Sequence, residues 1–306
     1  MKAHLAALGC LAFATCLAHV ATVRAESPAA ATWQAVSWRG ERAYELVAGR
    51  WRAIVSVERG RLVHFGPAGA GAANLLFESA SREDPFSWGG HRVWLGPQAL
   101  WGWPPPDAWD RAAAERVTLV DGRLELLMPD AGDGYPRLTR IYEAAGDRLA
   151  CRVAVSGGTR SVQVMQILQM PPTTTAELRP VATAKWPRGY FRVGGEMGPV
   201  EQPDLPLPEG LTELEGGTVR MAYFGRSEKL AFAPQTILAD TPEGALRLEF
   251  GECRGLAAAV PDDGYFTQVY VGHPGAPVVE IEQLSPRWVP GVDAEFSMYV
   301  DLTGGD

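Results

Sequence analysis

The sequence predicts an all-β fold, a large antiparallel β-sandwich with long loops at its rim. Three observations carry that prediction. Short runs with period-two or β-branched character recur from residue 44 to residue 302, turn signals separate almost all of them, and helical periodicity is weak throughout. Alternating strand and helix architecture, including a dinucleotide-binding fold, is therefore disfavoured. No fixed repeat of about 20 to 50 residues appears, which argues against a propeller or solenoid.

In chain order the predicted strands are 44–47, 53–57, 61–65, 74–77, 117–120, 123–128, 138–142, 149–155, 162–170, 219–224, 246–250, 266–271, 278–283 and 294–302. Between them stand Glu58-Arg59-Gly60, Asp121-Gly122, Ala145-Gly146-Asp147, Gly157-Gly158, Glu243-Gly244 and Asp263-Gly264, residue types that accept the backbone angles of tight hairpins. The best short helical candidate is 110–116. Two segments break the rhythm. Residues 88–110 carry five tryptophans and Pro104-Pro105-Pro106, and residues 198–210 carry Pro199, Pro203, Pro206 and Pro208. Proline removes a ladder donor, so both segments are read as loops.

The chain has 306 residues, of which 46% are hydrophobic and 21% charged, with Gly 34 and Pro 24. That much apolar material offsets ordering entropy and excludes a disordered chain. Lys2, an apolar stretch over 5–23 and Val23-Arg24-Ala25 have the layout of a secretory leader, with cleavage expected after Ala25. Residues 26–306 are then expected to form a single domain. No later stretch reaches the roughly 18 to 20 apolar residues of a spanning helix, so no membrane association is expected after cleavage. The basic start and Arg-rich, Lys-poor composition point to bacterial export, into the periplasm or beyond.

Losing Lys2 and Arg24 from 28 basic side chains leaves 26 against 36 acidic ones, a charge of −10. Nucleic acid is therefore not an expected partner, because phosphate binding requires the opposite sign. A neutral small molecule fits better. Cys10 and Cys16 leave with the leader, and Cys151 and Cys253 remain. In an oxidising compartment they form either one disulfide or two separately buried thiols, and the sequence leaves both open.

The densest chemical feature is Trp88-Gly89-Gly90-His91-Arg92-Val93-Trp94-Leu95-Gly96-Pro97-Gln98, followed by Trp101-Gly102-Trp103-Pro104-Pro105-Pro106. Indole faces match the C–H faces of sugar rings, and His, Arg and Gln orient hydrogen bonds to hydroxyls. Arg92, Trp94, Gln98, Trp101 and Trp103 are thus candidate sugar-binding residues. The competing reading is that the tryptophans are core and loop packing. A second feature is Val278-Val279-Glu280-Ile281-Glu282-Gln283-Leu284-Ser285-Pro286. Strand alternation puts Glu280 and Glu282 on one face, opposite Val279 and Ile281. That face meets either ligand or solvent.

In order and context these two stretches resemble the galactose mutarotase-like superfamily, which includes the aldose 1-epimerases. Asn74-Leu75-Leu76 after Gly60-Arg61-Leu62-Val63 is similar to the family's opening strands. Gly89-Gly90-His91-Arg92 followed by Pro97 resembles its substrate-mouth loop. Glu282 before Pro286, with Pro290-Gly291 leading into a last strand, resembles the strand that bears the general base. The Trp-rich pattern looks closest to an uncharacterised bacterial exported branch. The resemblance implies the family's supersandwich, a sugar or oligosaccharide ligand, and chemistry at the anomeric carbon. In that chemistry a carboxylate takes the anomeric hydroxyl proton and a histidine protonates the ring oxygen. The family's middle-strand histidine has no counterpart in 161–170, where Gln166 and Gln169 stand, and an amide transfers no proton at neutral pH. The resemblance therefore implies Glu282 as base and His91 as the substitute acid.

Of the other histidines, His64 lies on an apolar strand and is read as structural, while His273 lies in a Gly-rich turn and is read as exposed. Three isolated histidines make no zinc signature, and Asp262-Asp263-Gly264 lacks the further ligands of a calcium loop. Neither a metal nor an organic cofactor is expected. Lys185 and Lys229 are the only lysines after the leader. Solvation is the ordinary expectation for each, and Lys229 is also a candidate for the ligand site, as is Glu280. Burial of Glu282 would raise its pKa, and a nearby Arg92 or Lys229 would lower it. Two classes of function stay open: an aldose 1-epimerase-like isomerase, and a non-catalytic carbohydrate-binding protein on the same fold.

Overall fold

A computed structural model describes residues 31–69, 71–79, 89–193, 209–233, 236–255 and 265–303. The leader over 1–25, Trp88, the prolines of the second Pro-rich segment and Asp262-Asp263-Gly264 lie outside these residues. The described chain opens as a four-stranded antiparallel meander of β1 (Gln34–Trp38), β2 (Glu41–Ala48), β3 (Trp51–Ser56) and β4 (Arg61–Pro67). After it come β5 (Gly90–Gly96), one helical turn α1 (Asp107–Asp110), β6 (Arg116–Val120), β7 (Arg123–Leu127), β8 (Arg137–Ala145), β9 (Arg148–Ser156) and β10 (Val162–Met170). The second half holds β11 (Thr175–Leu178), β12 (Tyr190–Arg192), β13 (Leu211–Glu213), β14 (Val219–Ala222), β15 (Glu228–Phe232), β16 (Thr236–Thr241), β17 (Gly244–Arg254), β18 (Thr267–His273), β19 (Ala276–Trp288) and β20 (Ala294–Thr303).

Among the described residues a six-stranded sheet has the order β12-β15-β18-β19-β10-β5, and a ten-stranded sheet the order β13-β14-β11-β16-β17-β20-β9-β8-β7-β6. Side-chain alternation divides the six-stranded sheet into two different faces. Val93, Leu168, Val269, Val279 and Ile281 point inward and join Leu126, Val153, Leu248 and Met298 of the large sheet in one buried core. Burying each such side chain contributes roughly 1.5–3 kcal/mol. The opposite face carries the charged and aromatic residues described below.

Four sequence expectations change. Residues 74–77 are not a strand: the Asn74 side chain instead accepts from the Phe65 and Leu76 amides and donates to the Val63 carbonyl, which holds an irregular segment. The helical turn ends at Asp110 instead of starting there, and Arg116 begins β6. The stretch 88–110 is not all loop, because Gly90–Gly96 pairs with β10 over its whole length. Tryptophan and glycine obscured its alternation. Gly89 and Gly90 have φ of +72° and +77°, and a Cβ on Gly90 would stand 2.0 Å from the Leu62 carbonyl oxygen, so only glycine admits this approach of β5 to β4. Lastly, Lys229 is buried at 8% exposure rather than solvated.

Cys151 and Cys253 are separate thiols. They sit on β9 and β17, with β20 running between them. Burial pushes both thiols up, Cys253 to about 11, which keeps them protonated and unreactive.

Candidate functional site

Antiparallel register sets the site. Residues directly opposite each other point to the same side of a sheet, so Arg92, Ile167, Glu282, Gln268, Ala231 and Phe191 form one row from β5 to β12. Beside it runs a second row of Gln169, Glu280, Tyr270 and Lys229. Both glutamates thus lie on one face, as alternation predicts, while Val279 and Ile281 enter the core.

These side chains are paired and largely dry. Lys229 reaches diagonally across β18, placing its Nζ 2.7 Å from Glu282 Oε2. Glu280 Oε1 accepts from Gln169 Nε2 at 2.6 Å and lies 3.8 Å from Arg92 Nη1. Arg92 in turn forks onto Asp110, Nε to Oδ1 at 2.7 Å and Nη2 to Oδ2 at 2.5 Å. Glu282 is 1% exposed, and its Oε1 has no hydrogen-bond partner among the described residues. Burial raises its pKa; Lys229 opposes that shift, Glu280 adds to it, and the net direction is upward. The outcome is a carboxylate held ready to take a proton.

Asp110 behaves oppositely. Burial alone would raise it, but Arg92 and Arg61, with hydrogen bonds from Arg92 and Trp94, hold it well below the usual carboxylate range. It is a fixed anion that orients Arg92 and Trp94 rather than a proton carrier.

The tryptophans divide by environment. Trp94 is buried, donates Nε1 to Asp110 Oδ1 at 3.1 Å, and lies under the Arg92 guanidinium at 4.7 Å. Trp101 packs edge-on against Trp94 and Trp109 and donates to the Leu95 carbonyl at 2.6 Å. Trp103 touches Trp94 edge-on but remains 61% exposed. Trp101→Ala is therefore expected to cost about 2–4 kcal/mol, close to a buried aromatic truncation. Trp103→Ala should stay within about 0.5 kcal/mol. Thermal denaturation of the two variants checks the contrast, and equal losses would contradict it.

The structure does not bring every predicted site residue together. His91 alternates with Arg92 on β5, so it points to the other side of the sheet, opposite Leu168 and inside the core. Its Nδ1 is hydrogen-bonded to the Tyr142 hydroxyl at 3.1 Å. Burial and the nearby Arg140 push its pKa down to about 3, leaving a neutral imidazole separated from Glu282 by the sheet itself. Gln166 also faces inward, donating to the Phe296 carbonyl at 3.2 Å. Gln98 lies half-buried in the turn after β5, where its carbonyl accepts from the Trp101 and Gly102 amides. His64 is buried, with its pKa lowered to about 4, and His273 is exposed. Asp110 and Gln268 were missed by sequence reasoning. No local motif marks either; the one signal for Gln268 was its place in a predicted strand, two residues from Tyr270.

No protein-family model and no curated protein matches the sequence. Solved structures do. A proposed aldose 1-epimerase from Escherichia coli K12 superposes with a TM-score of 0.56 at 16% identity, over 85% of this chain and 99% of that one. A proposed mutarotase from Salmonella typhimurium gives 0.56 at 10% identity, over 89% and 93%. A galactose mutarotase-like protein from Lactobacillus casei gives 0.55 at 10% identity, over 85% and 99%. At such identities the likeness concerns the course of the backbone, and it runs the length of the relatives: the chain has the galactose mutarotase-like fold.

Proposed function

We propose that this chain binds a neutral sugar on the outer face of its six-stranded sheet and interconverts the sugar's anomers, with Glu282 as base. The observation that carries this reading is the Glu282–Lys229 pair. A buried carboxylate with a raised pKa and one unpartnered oxygen stands 2.7 Å from an ammonium group, surrounded by Arg92, Gln169, Gln268 and Glu280. In the reaction Glu282 takes the proton of the anomeric hydroxyl. The bond from the anomeric carbon to the ring oxygen breaks, and Lys229 gives that oxygen a proton. Rotation and reclosure by the reverse transfers complete the exchange, with no net gain or loss of protons. Lys229 takes the acid role that His91 cannot fill from the core, and Trp103 offers an exposed stacking surface at the rim. A leader over 1–25 would place the reaction in the periplasm or outside the cell, a reading supported by Lys2 and the apolar stretch that follows.

One observation favours a second reading, sugar binding without turnover. Among the described residues no histidine stands on the Glu282 face, and Glu280, Glu282, Arg92 and Asp110 already have charged or amide partners. Polarimetry or NMR of freshly dissolved α and β sugars separates the two. An epimerase accelerates the approach to anomeric equilibrium above the buffer rate, whereas a binding protein changes tryptophan fluorescence and leaves that rate untouched.

A further inference from the structure

The row that carries Glu282 continues toward β12 and reaches a cavity that the anomeric chemistry does not use. This space of about 170 Å³ is lined by Trp186, Phe191, Ala231, Ala233, Tyr265 and Lys185, among others. Trp186 stacks on Phe191 with ring centroids 4.4 Å apart, and Tyr265 stands edge-on to Phe191 at 4.8 Å. The Trp186 Nε1 donor is buried without a hydrogen-bond partner among the described residues. Such a donor is costly to leave unsatisfied in a packed site. Gln268 lies between the cavity and Glu282. It is directly opposite Glu282 on one side and Ala231 on the other, it is 2% exposed, and its Oε1 also lacks a hydrogen-bond partner.

We propose that the cavity beside Ala231 is a second sugar subsite, so that the ligand is an oligosaccharide whose reducing end lies at Glu282. Ala231 is two strands from Glu282 and Phe191 is three, about 10 to 15 Å at the ordinary strand spacing. One sugar ring advances a glycan by roughly one such spacing, ~5 Å, so the two to three steps beyond the ring at Glu282 suit about three to four units. Aromatic faces meet the C–H face of the distal ring, Trp186 Nε1–H donates to one of its oxygens, and Gln268 Oε1 accepts from a hydroxyl of the ring between. The chain's net charge of −8 favours a neutral glycan over an acidic one.

This inference rests on the sugar-binding reading above, and titration calorimetry keeps the two apart. The probes are gluco-, galacto-, manno- and xylo-oligosaccharides of one to four units, tested against wild type, Ala233→Trp and Trp186→Phe, with melting temperatures as the folding control. In at least one series, affinity is expected to rise by about tenfold or more between one and three units. Ala233→Trp, which fills the cavity, should abolish that gain and leave the monosaccharide within about twofold. Trp186→Phe keeps an aromatic ring against Phe191 but loses the N–H and part of the indole face, and should weaken only the longer members by roughly three- to tenfold. If Ala233→Trp fails to fold, Trp186→Phe carries the test. Affinity independent of length in every series overturns the subsite while sparing the sugar reading, as does an equal loss for short and long ligands in a folded variant. Failure of every probe to bind wild type overturns both.

Discussion

Glu282→Gln is expected to lower the anomerisation rate by about 10²-fold or more while sugar binding persists, since an amide keeps the shape and an acceptor but moves no proton. The amide oxygen can still receive Lys229, so the buried lysine keeps a hydrogen-bond partner and the fold should survive. The pH profile supplies an independent check. Because burial raises the Glu282 pKa, the wild-type rate should climb as pH rises through that elevated value, and this limb should vanish in the variant. Stability moves the other way. A carboxylate that binds its proton more tightly when folded than when unfolded favours the folded state below its ordinary pKa, and that contribution is lost as pH rises through the elevated one. Melting temperatures of wild type and variant should therefore diverge across that interval. His91→Asn is the control: from its place in the core it should lower stability and leave the rate alone. A Glu282→Gln protein that retains the wild-type rate removes Glu282 from the base role, and a His91→Asn protein that loses it without unfolding takes the acid role away from Lys229.

The fold was legible because its signal is local and repeated. Residues 279–282 alternate, and 162–170 form an apolar run interrupted by Gln163, Gln166 and Gln169; they lie in β19 and β10, two interior strands of the sheet that carries the site. Alternation also placed Glu280 and Glu282 on one face without any knowledge of their neighbours. The same rule applied to β5 would have separated His91 from Arg92. Glycine and tryptophan give Gly90–Gly96 the composition of a loop and hide that alternation. The Glu282–Lys229 pair was beyond local reading, since a lysine 53 positions away reaches its partner only through the register of β15, β18 and β19. Asp110 was hidden for a similar reason: it follows the Trp- and Pro-rich stretch, and only the return of the chain over β5 brings it to Arg92. Residue types and faces are local properties of a strand, whereas partners depend on the order in which strands are assembled.

Asp110→Ala should be the most destabilising single change near the site. The carboxylate is 1% exposed and receives Arg92 through two bonds, Arg61 at 3.3 Å and Trp94 at 3.1 Å. Removing it leaves two buried guanidinium groups without their shared anion. Burial already pulls the Arg61 guanidinium down to about 9, a sign of how much that charge depends on Asp110. Breaking a buried ion pair by deleting one partner typically costs about 3–5 kcal/mol, which at this size corresponds to a fall in Tm of roughly 5–9 °C. Asp107→Ala is the comparison. That carboxylate pairs with Arg111 one helical turn away but is 66% exposed, and its loss should stay within about 0.5 kcal/mol. The pH dependence has the opposite sign from that of Glu282. With its pKa held low in the fold, Asp110 contributes its full stabilisation above the ordinary carboxylate range and loses it as pH falls toward the depressed value, so the variant should show a flatter acid limb. Asp110 also aims Arg92, whose Nη1 lies 3.8 Å from Glu280, and sugar affinity should fall along with stability. Equal Tm values for Asp110→Ala and Asp107→Ala would mean that the guanidinium groups find other anions in the fold, and that Arg92 is held in place without Asp110.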